Sequence, residues 1–137
     1  MSLLWNPGDP KPASTIDVDE ELNQGGHSGI LSTFSISWPP ALDGGSAFAF
    51  PSNVLFSAID EYAPGGRTES HTHPDREKLF MVLDGFLRIA VGDEERVLSP
   101  GGMAFVPVGA AHGFSNAGEG VLRVAQIIAY LGEPRHG

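Results

Sequence analysis

Two histidines separated by one residue, His71 and His73, are well suited to bind a metal ion. In an extended segment, side chains at this spacing leave the same face of a strand about 7 Å apart. Two such imidazoles can ligate one ion. Pro74 favours extended backbone at His73, and Asp84-Gly85 lies between two apolar runs as a tight hairpin turn would. We therefore expect strand geometry, and not a loop, to hold both histidines.

A third histidine, His112, follows a predicted strand at 103–106 and the turn residues Pro107 and Gly109. His112 opens a further predicted strand, one hairpin along an antiparallel sheet, which places it within reach of the first two histidines. Neutral imidazole suits Fe, Mn, Ni, Cu and Zn, and three imidazoles leave one side of an octahedron open for substrate and water. That arrangement is typical of a reactive metal site and not of a closed structural one.

Both histidine stretches resemble the sequence motifs of the cupins. The first motif is matched at four of its fixed positions, Gly65, His71, His73 and Gly85. The second motif is matched at every fixed position, by Gly101, Pro107, Gly109, His112 and Asn116. The resemblance implies a double-stranded β-helix, also called a jelly-roll barrel. It also implies that the three histidines ligate a divalent transition metal such as Fe, Mn, Ni or Zn.

One position departs from the first motif. Lys78 occupies the place where the family carries a metal-ligating glutamate, and the nearest acid, Glu77, is one residue early. An ammonium group beside a divalent cation costs on the order of several kcal/mol unless it is neutral or turned away. Three outcomes stay open. The histidines hold the metal alone, Glu77 reaches it through a one-residue bulge, or no metal binds.

Lys78 is the candidate catalytic residue. Three neutral imidazoles lack the negative charge of the four-ligand site, so an anionic ligand such as a carboxylate, enolate or thiolate binds more favourably. Lys78 can pair with that anion if its side chain points inward. Alternatively, the lysine extends into solvent at the barrel mouth. The sequence leaves both alternatives open.

Three further residues are predicted to bind the substrate. Phe80 and Phe114 have the strand parity expected of pocket walls. Gln126 is a lone polar residue in the apolar run 121–130. A buried glutamine must be hydrogen-bonded, so Gln126 faces the pocket or pairs with a neighbouring strand.

The composition narrows the possible partners. The formal net charge is −9, and no basic stripe is present to bind nucleic acid. The absence of cysteine excludes a disulfide framework, a cysteine-ligated metal and a thiol nucleophile. The sequence shows neither a signal-peptide pattern nor an apolar run able to span a bilayer. We therefore expect a cytoplasmic protein that binds a small-molecule substrate, with neither nucleic acid nor membrane as a partner. As a member of the family that it resembles, the chain is also expected to form a homodimer.

The elements that position these residues are predicted to be strands. A length of 137 residues suits one domain, and the 18 glycines and 11 prolines favour many short strands. Residues 1–28 are predicted to form an irregular N-terminal arm, and residues 29–137 a single all-β jelly-roll barrel. A turn is predicted at 64–66, before the histidine strand. The apolar strand at 78–83 is expected to be buried on both faces, by the opposite sheet and the arm or by a second subunit.

The leading functional hypothesis is a metal-dependent enzyme. A small anionic substrate would chelate the metal and react with O₂, as the family resemblance implies for an oxygenase-type reaction. A metal-dependent isomerase or decarboxylase is the next alternative. A small-molecule-binding protein without catalytic activity is the alternative from another class. The fold alone cannot choose among them.

Overall fold

The computed structural model describes residues 15–17, 27–38, 50–52 and 54–131. Within these ranges the prediction of an all-β chain is confirmed. The ten strands are β1 (Thr15–Asp17), β2 (His27–Trp38), β3 (Phe50–Pro51), β4 (Leu55–His71), β5 (Arg76–Asp84), β6 (Leu87–Val91), β7 (Glu94–Leu98), β8 (Met103–Val106), β9 (His112–Asn116) and β10 (Leu122–Tyr130).

The longest strand, β4, belongs to both halves of the barrel. Its first half pairs with β10 and its second half with β9, both antiparallel. Beyond β9 the sheet continues to β6 and β7, and beyond β10 it continues to β5 and β8. The result is a nearly closed antiparallel barrel, as predicted. Because β4 changes partner along its length, its last residue reaches the start of β9.

The turn predicted at 64–66 is wrong, because β4 runs through these residues without reversing. Gly65 has a φ of +81°, a conformation that glycine adopts without steric cost. Gly66 packs against β2, where an added Cβ would lie 3.1 Å from the carbonyl oxygens of Ser28 and Gly29, and it would also lie 2.9 Å from the Ala63 carbonyl oxygen of β4 itself. The register between β2 and β4 also shifts beside Gly29. The glycines therefore allow the strand to bend and to pack closely on its neighbour.

Two predicted hairpins are also wrong. The strands on either side of Asp84-Gly85 do not pair with each other, since β5 pairs with β8 and β10 while β6 pairs with β7 and β9. Gly85, with a φ of +84°, lies in a connection that crosses from one half of the barrel to the other. Similarly, β9 is not the hairpin partner of β8 but pairs directly with β4. This pairing brings His112 to the histidine strand.

The barrel interior holds one main apolar cluster with contributions from both halves. Its buried members come from β4, β5, β6, β8 and β10, and they are Tyr62, Phe80, Val82, Leu87, Ile89, Val106, Leu122 and Val124. A smaller cluster of Phe56, Ala58, Ile128 and Tyr130 joins β4 and β10 at the end of the barrel that carries the histidines. Alternate residues of β4, β5 and β10 thus point inward.

The outer face of β5 is less covered than predicted. Met81 and Leu83 are 38% and 37% exposed, and the neighbouring Met103 and Phe105 of β8 are 60% and 53% exposed. The single chain therefore buries only the inner face of β5, and a second subunit over the outer face stays a prediction. Most of the predicted arm, residues 1–28, lies outside the described residues, although its Thr15–Asp17 segment pairs with β2. Within the described ranges, no helix is long and apolar enough to cross a membrane.

Candidate metal centre

His71 and His112 face each other across neighbouring strands. They are the last residue of β4 and the first of β9, and they are partners in the antiparallel register. Their ring centroids are 4.3 Å apart. The His73 ring lies 4.7 Å from that of His71 and 5.6 Å from that of His112. The potential ligand nitrogens of the three residues all lie within 4.8 Å of one another. The structure therefore brings the three predicted ligands together.

His73 is not on a strand, which corrects one expectation from the sequence. β4 ends at His71, and the connection to β5 carries His73. The following residue, Pro74, has no N–H to donate to a strand ladder, so pairing ends before it. The connection is tied down instead by a backbone hydrogen bond, in which the Gly109 N–H donates to the His73 carbonyl oxygen at 2.9 Å. The loop before β9 thus fixes the position of the loop after β4.

Two backbone carbonyls orient the imidazoles of His71 and His112. The Nδ1 of His71 lies 2.8 Å from the Glu69 carbonyl oxygen, and the Nδ1 of His112 lies 3.0 Å from that of Ala110. A carbonyl oxygen only accepts, so each Nδ1 must donate a proton to it. In a neutral ring the lone pair is then on Nε2. A backbone carbonyl bound to one ring nitrogen is the usual support of a histidine that ligates a metal through the other.

Burial keeps two of the imidazoles neutral. It lowers the pKa of His73 to about 3 and that of His112 to about 4, and the positive charge of Lys78 adds to both shifts. His112 is 1% exposed, and its buried Nε2 has no hydrogen-bond partner among the described residues. Neutral imidazole is the form that ligates metals. An orphaned lone pair beside two further imidazoles therefore fits a divalent transition metal.

Lys78 points into the barrel and not into solvent. It shares the inner face of β5 with Phe80 and Val82, and it is only 8% exposed. Burial, aided by the charge of Arg76, lowers its pKa to about 8. The positive charge of Lys78 contributes to the lowered pKa of both His73 and His112, as expected of an ammonium group directed towards the histidines. Of the two alternatives left by the sequence, the structure favours the inward one.

Glu77 does not join the three histidines. It alternates with Lys78 along β5, so its side chain leaves the opposite face of the strand. The described register of β5 against β10 passes through Glu77 and Lys78 without a shift, opposite Ala129 and Ile128. The bulge that would turn Glu77 inward is therefore not seen. The group of potential ligands contains His71, His73 and His112.

The two phenylalanines predicted to line the pocket pack against each other. Their ring centroids are 5.4 Å apart, and Phe114 also contacts Tyr62 edge-on at 5.4 Å. Phe80 is 2% exposed and is part of the apolar core. Phe114 is half-buried on β9, two residues after His112. The pair forms an apolar wall within the barrel, and their contact with substrate stays a prediction.

Gln126 pairs with a neighbouring strand, the second of the two alternatives left by the sequence, and its partner there is Asp60. The Nε2 of Gln126 donates a hydrogen bond of 2.7 Å to the Oδ2 of Asp60, a residue of β4 that is 4% exposed. Asp60 lies at the inward parity of β4 between Ala58 and Tyr62. In the sequence, Asp60 stands out as a single acidic residue at a position of an apolar strand that should face inward, which indicates a need for a hydrogen-bond partner. The pairing itself could not be predicted, because it depends on β4 lying next to β10.

The depressed histidine pKa values predict that the metal-free protein loses stability in mild acid. Below the ordinary histidine pKa of about 6.5, His73 and His112 become protonated in the unfolded chain but stay neutral in the folded protein. Acidification therefore lowers the free energy of unfolding. Asp60 opposes this trend, because burial raises its pKa to about 6. The destabilising effect of the two histidines exceeds the stabilising effect of Asp60. We therefore expect the free energy of unfolding to fall by roughly 2 kcal/mol from pH 7 to pH 5.

Denaturant unfolding in the presence of a chelator measures this difference. His112→Gln removes one of the two depressed groups and should reduce the loss. A free energy of unfolding that stays constant or rises on acidification would contradict the assignment of neutral, buried imidazoles.

Comparison with known proteins places the chain in a family. The profile described as a cupin domain matches residues 58–128, just over half of the chain. The chain therefore belongs to the cupin family, which confirms the resemblance noted from the two motifs. A comparison with curated protein sequences gives no match.

Solved structures agree with this fold. The protein TT1209 of Thermus thermophilus is 30% identical with a TM-score of 0.57, over 63% of this chain and 80% of that one. KdgF from Halomonas sp. is 20% identical with a TM-score of 0.60, over 79% and 81% of the two chains. A recombinant oxalate oxidase, solved with glycolate, is 22% identical with a TM-score of 0.53, over 58% of this chain and 44% of that one. The last two similarities show the fold alone.

Proposed function

We propose that this cupin is a metal-dependent enzyme that acts on a small anionic substrate in an oxygenase-type reaction. His71, His73 and His112 would hold a divalent transition metal such as Fe, Mn, Ni or Zn. The observation that carries the proposal is the convergence of their ligand nitrogens within 4.8 Å, with the buried Nε2 of His112 unpartnered. When bound, such a metal would supply Lewis-acid polarisation of a chelated substrate and, if redox-active, a route for electrons to O₂.

The residues around the centre support an anionic substrate. Three neutral imidazoles leave the positive charge of a divalent ion uncompensated, and the inward Lys78 adds to that charge. A substrate carboxylate or enolate would offset the positive charges of the metal ion and of Lys78, and the Lys78 ammonium can donate a hydrogen bond to it. The apolar wall of Phe80 and Phe114 would keep water from the opposite side. In this proposal Lys78 binds and orients the substrate.

Metal reconstitution and oxygen uptake test the proposal. Protein purified without a histidine tag is stripped with a chelator, loaded with Fe(II), Mn(II), Ni(II) or Zn(II), and mixed with a panel of small carboxylates and enols. We expect one metal per chain by elemental analysis and O₂ uptake with a redox-active metal. Zinc is the matched control, because it is redox-inert and should support no O₂ uptake.

Other outcomes identify the alternatives. Conversion of a compound without O₂ uptake would replace the oxygenase by a metal-dependent isomerase or decarboxylase. Binding without conversion would favour a cupin that binds a small molecule without catalysis. A stripped protein that takes up none of the metals at micromolar concentration would overturn the proposal of a metal-dependent enzyme.

A further inference from the structure

Asp60 has a buried carboxyl group, and one of its two oxygens has no hydrogen-bond partner among the described residues. It lies on the inward face of β4 and is 4% exposed. Gln126 donates to its Oδ2 at 2.7 Å, and the Thr33 side chain also hydrogen-bonds the carboxyl group. Its Oδ1 is fully buried and has no hydrogen-bond partner among the described residues. Buried acceptors are nearly always paired, so an unpaired carboxylate oxygen inside a barrel calls for an explanation.

Lys78 is a buried cation in the same barrel interior, but it forms no ion pair with Asp60. Lys78 and Asp60 influence each other electrostatically, since each charge favours ionisation of the other group. The ion pairs found among the described residues nevertheless do not include either of them. Burial raises the pKa of Asp60 to about 6 and lowers that of Lys78 to about 8, so both groups resist ionisation in the folded chain. A buried carboxylate oxygen without a hydrogen-bond partner in the described part of the chain, beside a buried ammonium group outside these ion pairs, suits a ligand more than it suits the fold.

The sheet register places Asp60 and Lys78 on opposite sides of Gln126, with Asp60 opposite Val124 and Lys78 opposite Ile128 on β10. Gln126 of β10 is the register partner of Ala58 on β4 and of Phe80 on β5. Asp60 follows Ala58 at the next inward position of β4, and Lys78 precedes Phe80 at the next inward position of β5. Asp60 and Lys78 therefore flank Gln126 diagonally across three adjacent strands. Lys78 is on the side towards the histidines, because β5 begins at the end of the barrel where His71 and His73 lie.

We propose that Asp60, Gln126 and Lys78 form a second polar subsite beside the histidines, and that it selects small carboxylates bearing a hydroxyl group, the hydroxy acids. The Lys78 ammonium donates to the carboxylate, and the Oδ1 of Asp60 accepts the hydroxyl hydrogen. Gln126 and Thr33 hold the Asp60 carboxyl in place. This assignment rests on the proposed function, in which the substrate is a small anion. It adds the requirement that the substrate also carries a hydroxyl group as a hydrogen-bond donor.

Matched pairs of acids test the subsite. Calorimetric titration of the zinc-loaded protein compares tartrate with succinate and 3-hydroxypropanoate with propanoate, members that differ only in hydroxyl groups. Because a hydrogen bond to a charged acceptor is among the stronger ones, we expect the hydroxy acid of each pair to bind about 10-fold more tightly or better. In Asp60→Asn, which keeps the shape but loses the charged acceptor, the preference should fall below about 3-fold. Lys78→Met should weaken both members of a pair alike.

Glu61→Gln is the matched control, because it removes one carboxylate from the neighbouring residue on the opposite face of β4. It should leave the hydroxyl preference unchanged. Circular dichroism and unfolding midpoints establish that each variant is folded, and the comparison within the wild-type protein needs no variant.

Failure of this inference is distinguishable from failure of the proposed function. The same acids are titrated into the metal-free protein, and zinc uptake is measured separately in each sample. Absent zinc uptake counts against the metal-dependent enzyme, whereas the hydroxyl preference is read from the acid titrations alone. Equal affinities within every pair, binding of neither member, or an Asp60→Asn variant that weakens both members equally would overturn the subsite.

Discussion

Replacing His112 by glutamine is expected to lower the affinity for a divalent transition metal by at least about 100-fold, about 2.7 kcal/mol. The histidine supplies a buried Nε2 with no other partner, held by the bond from its Nδ1 to the Ala110 carbonyl. Glutamine fills most of the same space, but its amide oxygen is a poorer ligand for these metals than imidazole. Losing one of three protein ligands should therefore nearly abolish binding at micromolar metal.

Isothermal titration of the stripped protein with Ni(II) and Zn(II) measures this loss. His71→Gln and His73→Gln should behave alike, because each removes one member of the same group. His136→Gln is the matched control, as it replaces the histidine beside the C-terminus, which neither motif includes. If His112→Gln binds metal as tightly as the wild-type protein while remaining folded, the three histidines do not form the centre.

Replacing Lys78 by glutamate is expected to have the opposite effect and to tighten metal binding by about 100-fold or more. Lys78 is 8% exposed on the inner face of β5, and its charge acts on His73 and His112. The substitution exchanges a repulsive charge for an attractive one, and interactions between neighbouring charges in a partly buried site are worth on the order of a few kcal/mol. The new carboxylate would also offer a fourth ligand at the position that the first cupin motif gives to glutamate.

A series at this position separates charge from ligation. Lys78→Met removes the repulsion without adding a ligand, so its metal affinity should lie between those of the wild-type protein and Lys78→Glu. Arg123→Glu is the matched control, because it makes the same change in net charge at an exposed position of β10. An unchanged affinity in Lys78→Glu would show that the side chain at position 78 is directed away from the metal.

The location of the site could be predicted from the sequence because its signals are local. The spacing of His71 and His73 and the glycine and proline positions before His112 mark two segments that can bind a metal. The structure brings these segments together, although His73 lies in the connection after β4 and not on the strand. Strand parity also predicted that Phe80 faces inward, which the structure confirms, whereas the direction of Lys78 was left open by the sequence. These features depend on residues close in the chain, which the sequence shows directly.

The errors concern which strands become neighbours. Gly65 and Gly85 both have positive φ, which suits a hairpin turn, a strand bend and a crossover equally well. Only the distant hydrogen-bond partners decide among them, and these are set by packing of the whole barrel. The bond between Gln126 and Asp60 spans 66 residues, so its partner could not be named from the sequence for the same reason. Sequence patterns predict which residues of a strand share a face. They do not predict which residues of other strands lie beside them in the sheet.

The central claim is that the three histidines bind one metal ion, and anomalous X-ray scattering tests it most directly. Crystals of the stripped protein are loaded with Zn(II) or Ni(II), and data are collected on both sides of the absorption edge of the metal. We predict one anomalous peak per chain, about 2.0 to 2.1 Å from a ring nitrogen of each of His71, His73 and His112. A folded, loaded protein with no peak there, or with its peak elsewhere, would contradict the claim.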